Sequence, residues 1–203
     1  MIGNDIVDLK IAALESNWKR PRFLDKVFSD KEQLLILNSE HQSQMVWLLW
    51  SMKEAAYKIY VQQYGQRIFN PKKLRCELVS KSEGLVNFNG NQYVTKSEIS
   101  DDFINTLAYS EEPKTIIIHQ FKIKDTSYKT QSHTAKQKLL KSFSELKKVS
   151  VKNLEIKKNK NSVPRLFYNG NEQNDSFSIA HHGFYGAYAI SLSKQISTNL
   201  API

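Results

Sequence analysis

The sequence predicts an α+β fold in two halves that meet near residue 113. Its 203 residues suffice for one globular unit or for two small packed halves. The predicted elements run strand, helices, strands, and then strand, helix, strands again, with Glu111-Glu112-Pro113 as the break between the two series. Apolar residues make up 40% of the chain and aromatic residues 11%, which excludes a disordered protein.

The first half is predicted to hold one strand, a capped helix, a long buried helix and four short strands. Residues 2–9 form the strand, and Ser29 followed by Glu32 has the spacing of a capping box at the start of a helix. Residues 43–63 carry apolar side chains on nearly every side, so this helix is expected to be largely buried. The four later strands are predicted at 74–79, 85–88, 93–97 and 104–109.

The second half is predicted to begin with a strand at 115–124. An amphipathic helix follows at about 133–148, with apolar side chains on one side. Two strands are predicted at 151–158 and 164–168, and a hairpin at 176–192.

The composition excludes several classes of protein. Cys76 is the single cysteine, so neither an intramolecular disulfide nor a zinc-finger site can form, and its alternating surroundings predict a buried strand residue. The N-terminus lacks a basic segment leading into an apolar run, and the longest apolar stretch, 45–52, is too short to span a bilayer. We therefore expect a cytoplasmic protein without a membrane segment.

The net charge of +9 predicts an anionic partner. Between residues 136 and 160 there are nine lysines against two acidic residues, Glu145 and Glu155. Solvated helix and strand faces would explain many of these lysines equally well. The charge alone does not choose between nucleic acid, a membrane surface, a phosphorylated small molecule and an acidic protein.

Charged residues within the long apolar helix are the first indication of chemistry. Trp50, Glu54 and Lys58 recur every four residues and so share one helix face. Burying a carboxylate or an ammonium costs several kcal/mol unless a partner compensates. Either Glu54 and Lys58 pair at the rim of the core, or Glu54 holds a cation while Lys58 meets phosphates. Asp5, in the opening strand, is a candidate second oxygen ligand for Mg²⁺.

Two segments carry a family resemblance. The sequence Gly3-Asn4-Asp5-Ile6-Val7-Asp8-Leu9 is similar to the G-[IVT]-D-[IL]-V/E signature of the 4′-phosphopantetheinyl transferase superfamily. Residues 50–58, WSMKEAAYK, resemble its second signature, W-[ST]-x-K-E-A-x-x-K, at every fixed position. The separation of about 45 residues between them, with a helix start in between, is also typical of the family.

The resemblance implies a Mg²⁺-dependent transfer of the phosphopantetheine arm of coenzyme A to a serine of a carrier protein, releasing 3′,5′-ADP. Asp5 and Glu54 would ligate the Mg²⁺, and Lys58 would neutralise phosphate charge, so these three are the expected catalytic residues. Val7 stands where one branch of the family has a glutamate, which leaves the base for the serine open. A metal-bound or free water is one option.

A segment of the second half resembles the F-N-[IL]-S-H-S-G element that binds coenzyme A in two-half members. It spans residues 176–185 and implies that His181 contacts the 3′-phosphate as a donor. Ala180 replaces the usual serine, and Ser162-Val163 replace the Gly-Lys before Pro164. One phosphate or pantetheine contact that these residues make in the family would then be absent here, or a nearby cation would supply it. The resemblance assigns the remaining coenzyme A contacts to Pro164, Arg165 and Lys53, with Lys160 as an alternative to Arg165.

The resemblance further implies two similar α/β halves related by a pseudo-twofold axis. Residues 1–112 would form the Mg²⁺-binding half and residues 113–203 the coenzyme A-binding half, in the reverse of the usual order. This arrangement predicts a monomer. The alternative is a single-half type with an enlarged middle, which would form a trimer.

The expected partner is an acidic acyl or peptidyl carrier protein, such as that of fatty-acid synthesis, docking on residues 136–160. Two rival functions remain open. One is a catalytically degenerate homologue that binds coenzyme A and a carrier without turnover. The other is a basic nucleic-acid-binding module, which accounts for the charge but not for Glu54 and Lys58.

Overall fold

The computed structural model describes residues 1–113 and 115–192, and in them places five α-helices and three antiparallel sheets. The predicted α+β fold class is therefore confirmed. The first part of the chain contains β1 (Ile2–Asp8), α1 (Leu9–Glu15), α2 (Phe23–Val27), α3 (Asp30–Leu37), α4 (Gln42–Tyr64), β2 (Arg75–Leu78), β3 (Glu83–Phe88), β4 (Asn91–Ile99) and β5 (Phe103–Tyr109). These five strands form one sheet in the order β1-β5-β4-β3-β2.

The later part of the chain builds two smaller sheets around one helix. It contains β6 (Ile116–Lys122), α5 (Tyr128–Lys147), β7 (Leu154–Lys158), β8 (Pro164–Tyr168), β9 (Asn171–Glu172), β10 (Ser176–His182) and β11 (Tyr185–Ser191). One sheet has the order β10-β11-β6 and the other β7-β8-β9. The division of the chain at residue 113 stays a prediction, supported by the break between β5 and β6.

The long helix α4 forms the centre of the larger core, as its sequence predicts. Val46, Leu49, Met52, Ala56 and Ile59 are fully or almost fully buried. The helix ends at Gly65, which adopts the left-handed conformation (φ 68°) that glycine tolerates best. The predicted capping box of α3 is also present, since Ser29 and Glu32 bond to each other's backbone N–H groups.

Two short helices, α1 and α2, were not predicted. The signal for α1 is Asp8, whose Oδ1 accepts hydrogen bonds from the N–H groups of Lys10 and Ile11 and so caps the helix. Its other oxygen, Oδ2, accepts from the N–H of Phe184 at 2.9 Å. Asp8 thus joins the start of α1 to the turn between β10 and β11.

Close packing of α4 on β1 depends on Gly3. A Cβ added at this position would overlap the backbone carbonyl oxygen of Ala55, which cannot move without shifting α4. We expect Gly3→Ala to lower the free energy of unfolding by about 1–3 kcal/mol, the usual cost of overpacking. Urea unfolding checks this prediction, and a loss below about 0.5 kcal/mol would contradict it.

The two edge strands β1 and β10 lie side by side with parallel directions. The N–H groups of Ile2 and Asn4 donate to the Oγ atoms of Ser176 and Ser178, and the N–H of Asp8 donates to Nδ1 of His182. In each of the three bonds the acceptor residue lies 174 positions after the donor residue, so the two strands run in the same direction. Side chains of β10 therefore take the place of a main-chain ladder where the larger sheet meets the sheet of β10.

None of the helices in the described parts of the chain has the length and apolar character that crossing a membrane requires.

Candidate active site beside the long helix

Asp5 and Lys58 meet where α4 crosses β1. The Lys58 Nζ donates to the backbone carbonyl of Asn4 at 2.7 Å and to Oδ1 of Asp5 at 3.2 Å. Both side chains keep some access to solvent, with exposed fractions of 29% for Lys58 and 14% for Asp5. Glu54 precedes Lys58 by one helical turn and so lies on the same face of α4. The chain thus brings together the three residues predicted as catalytic.

The environment of Glu54 is unfavourable for a lone carboxylate. Burial and, to a smaller extent, the negative charge of Asp5 raise the pKa of Glu54 to about 7, while Lys58 opposes the shift. A buried carboxylate whose ionisation a second carboxylate disfavours is a natural place for a cation. A divalent ion would restore the charged form of Glu54.

The donor set suits Mg²⁺. The parts of the chain that the structure describes contain no cluster of three or more His, Cys, Asp or Glu residues that could hold a metal alone. Mg²⁺ is commonly held by one or two carboxylates together with substrate phosphates and waters, and it does not need an all-protein cage. Asp5 and Glu54 fit that pattern and would hold the ion only when phosphates complete its shell.

A cleft of about 370 Å³ extends from this site between α4 and the later part of the chain. Glu54 and Lys58 lie at its polar side. Its apolar walls come from both parts of the chain, with Tyr57, Val61, Val163, Pro164 and Phe177 among the lining residues. Such a combination of apolar walls and a few convergent charges is typical of a small-molecule site. A larger cavity of about 680 Å³ near the start of α4 contains none of the predicted site residues.

His181, near the end of β10, lies close to Asp5 and Lys58. Its Nδ1 is 2.9 Å from Oε1 of Gln131, and its ring meets that of Tyr128 edge-on at 5.3 Å between centroids. Burial lowers the pKa of His181, and the positive charge of Lys58 lowers it further. The free protein therefore holds a neutral imidazole at pH 7.

Pro164 lines the cleft, as the resemblance implies, but Arg165 does not. Arg165 lines an adjoining cavity of about 140 Å³, where its Nε lies 3.7 Å from Oε1 of Glu172. Lys160 is exposed and is not among the residues that line the cleft.

Lys53 requires a correction. The expectation that it binds coenzyme A is wrong, because its side chain is fully buried on the other side of α4. The ammonium donates to both oxygens of Glu32 at 2.7 and 2.9 Å, to the carbonyl of Pro71 at 2.9 Å and to the carbonyl of Leu74. Glu32 also accepts from the N–H of Cys76. Lys53 therefore ties α4 to α3 and to the start of β2, and no ligand in the cleft can reach it.

Arg67 is a cleft residue that sequence reasoning missed. It follows α4, and its Nε and Nη2 donate to the carbonyls of Asn161 and Ser162, both at 3.0 Å. These bonds place a guanidinium beside Val163, at the position where the resemblance implies a lysine. These bonds use two of the five N–H groups of the guanidinium, and within residues 1–113 and 115–192 the other three have no hydrogen-bond partner and can meet a ligand. No local signal in the sequence predicts this long-range contact.

Comparison with known proteins agrees with the signatures. The family model of the 4′-phosphopantetheinyl transferase superfamily matches residues 1–117, which is more than half of the chain. No curated protein matches the chain. The matched region contains β1, α4 and the residues Asp5, Glu54 and Lys58. The chain therefore belongs to the 4′-phosphopantetheinyl transferase superfamily.

Proposed function

We propose that this protein transfers the phosphopantetheine arm of coenzyme A to a serine of an acyl or peptidyl carrier protein. The observation that carries the proposal is the pair Glu54 and Lys58 at the polar side of the cleft, with Asp5 bonded to Lys58 and close enough to raise the pKa of Glu54. Membership of a transferase superfamily supports the reaction class. Asp5 and Glu54 would hold Mg²⁺, which when bound adds positive charge to the pyrophosphate of coenzyme A.

The reaction is a displacement at the β-phosphorus. The carrier serine oxygen forms a bond to this phosphorus, the bond from the β-phosphorus to the bridging oxygen breaks, and 3′,5′-ADP leaves with the electron pair. Lys58 stands beside Asp5, where its ammonium can balance negative charge that grows on the leaving phosphate. Val7 carries no proton acceptor, so the serine proton passes to water at the open side of the cleft.

The nucleotide would lie along the cleft. Apolar walls from Val61, Val163 and Pro164 suit a purine or the pantetheine arm. Arg67 would supply the positive charge that the resemblance implies for a lysine at position 163. His181 would meet the 3′-phosphate. Because this cleft uses residues from both parts of one chain, a monomer would carry a complete site. We propose further that residues 1–112 form the Mg²⁺-binding half and residues 113–203 the coenzyme A-binding half, in the reverse of the usual order.

An acidic carrier protein would dock on the basic surface of residues 136–160. Eight of its nine lysines are exposed, and Lys147 is half-buried and paired with Asp175 at 3.0 Å. Lys136 lies close enough to His181 to lower the pKa of that ring, so the surface adjoins the site.

The transfer rate at subsaturating carrier should therefore fall as salt rises, because screening weakens attraction between oppositely charged surfaces. We expect about a tenfold loss between 50 and 500 mM salt. A flat profile would contradict docking on this surface.

The mass of a carrier protein tests the function directly. The protein is incubated with coenzyme A, Mg²⁺ and an apo carrier, and the carrier is weighed by mass spectrometry. Addition of the phosphopantetheine arm, with release of 3′,5′-ADP, is the expected result. Ala180 and Val163 replace two family residues and favour one second candidate, a homologue that binds coenzyme A and carrier without turnover. In that case both ligands bind and the carrier mass does not change.

A further inference from the structure

Gln131 is a buried polar residue of α5 that the proposed reaction does not use. Its Nε2 donates to the backbone carbonyl of Gly183 at 2.7 Å, and its Oε1 lies 2.9 Å from Nδ1 of His181. Only 7% of its surface is exposed. One amide group therefore contacts both the turn after β10 and the histidine assigned to the ligand.

These two contacts fix the chemistry of the amide. A backbone carbonyl only accepts, so the NH₂ group of Gln131 must face Gly183. The remaining Oε1 only accepts as well, and its partner Nδ1 must therefore carry a hydrogen. In the neutral ring the hydrogen is then on Nδ1, and Nε2 is left with a lone pair and no hydrogen.

A phosphate requires a donor from His181, and in this arrangement Nε2 can donate only when the ring is an imidazolium. We propose that Gln131 is a positioning residue that holds the hydrogen of His181 on Nδ1, so that binding of the coenzyme A phosphate takes up a proton at Nε2. This inference rests on the proposed function, because it takes the phosphate at His181 from there.

The charges around the ring agree with proton uptake on binding. The charged and titratable groups that act on it are Lys58 on α4, Asp5 on β1, His182 on β10 and Lys136 on α5. Burial and the positive neighbours lower the pKa of His181, and Asp5 raises it to a smaller extent. The imidazole of His181 is therefore neutral in the free protein above pH 7, and a bound phosphate dianion would favour the imidazolium.

Calorimetry with 3′,5′-ADP tests the inference. Binding is measured at pH 7.5 in buffers of different ionisation enthalpy, which reports the number of protons taken up. The wild-type protein is expected to take up part of a proton, and His181→Ala to take up none and to bind about tenfold more weakly. Phosphate monoesters ionise near pH 6, so at pH 7.5 the ligand itself contributes little.

Gln131→Met removes the acceptor, and the ring is then free to place its hydrogen on Nε2. We expect proton uptake to disappear while affinity falls only about fivefold. In the His181→Ala background the same substitution should have no further effect on affinity, since interacting residues are not additive. Gln92→Met, at an exposed position of β4 outside both the cleft and residues 136–160, is the matched control and should bind like the wild type.

The outcomes separate the inference from the proposed function. Two results would overturn the positioning role and leave the transferase proposal intact. One is unchanged proton uptake in Gln131→Met, and the other is an equal loss of affinity when Gln131→Met is made in the wild type and in His181→Ala. A wild-type protein that binds neither 3′,5′-ADP nor coenzyme A would overturn both.

Discussion

Replacement of Glu54 by glutamine should lower the rate of phosphopantetheine transfer by about 10³-fold or more. Glutamine has almost the same shape but no charge, so the pair of carboxylates that would hold Mg²⁺ becomes a single one. Asp5→Asn is expected to have a similar effect, although it also removes the partner of Lys58. The rate is measured by carrier mass at fixed Mg²⁺.

Two further measurements connect this loss to the metal. Mg²⁺ with coenzyme A should raise the melting temperature of the wild type, because a ligand that binds only the folded state stabilises it. In Glu54→Gln the contribution of Mg²⁺ to this shift should vanish. Glu111→Gln, an exposed site outside the cleft, is the control. Near-normal transfer by either Glu54→Gln or Asp5→Asn would show that the metal assignment is wrong.

Replacement of Lys53 by methionine should cost about 3–5 kcal/mol in the free energy of unfolding, the largest stability effect expected from a single substitution here. The reason is Glu32, whose side chain has no exposed surface and would keep its charge without its cation. The carbonyls of Pro71 and Leu74 would also lose a donor. Denaturant unfolding gives the free energy.

A second substitution tests whether the unpaired charge is the cause. In the Glu32→Gln/Lys53→Met double variant the charge is gone. The glutamine oxygen can still accept from Cys76, although its NH₂ group cannot accept from Ser29, so part of the stability should return. Lys31→Met, at an exposed position, is the control for the methionine itself. Equal losses in the single and double variants would contradict the argument.

The sequence predicts α4, and the shared face of Glu54 and Lys58 on it, well, because helical periodicity is a local property. The prediction for Lys53 is wrong because of helix geometry. Consecutive helix residues point about 100° apart, so Glu54 faces β1 while Lys53 faces α3 and β2. A signature contains both residues and does not say which side of the helix receives the ligand.

The contacts of Arg67 and Gln131 illustrate what the sequence cannot supply. Arg67 reaches residues more than 90 positions away, and Gln131 reaches His181 across 50. Such pairs depend on how sheets pack, and periodicity carries no information about that packing. The family match, which ends at residue 117, likewise leaves the order of the halves as a proposal.

The meeting of β1 and β10 has a consequence for any attempt to divide the chain. Each is the outermost strand of its sheet, and each shields the other from a foreign strand. Uncovered strands of this kind recruit neighbouring molecules and promote aggregation. Expressed separately, the segments before and after residue 113 should precipitate or associate non-specifically. Mixing the two segments early in refolding should instead give a soluble complex that does not aggregate.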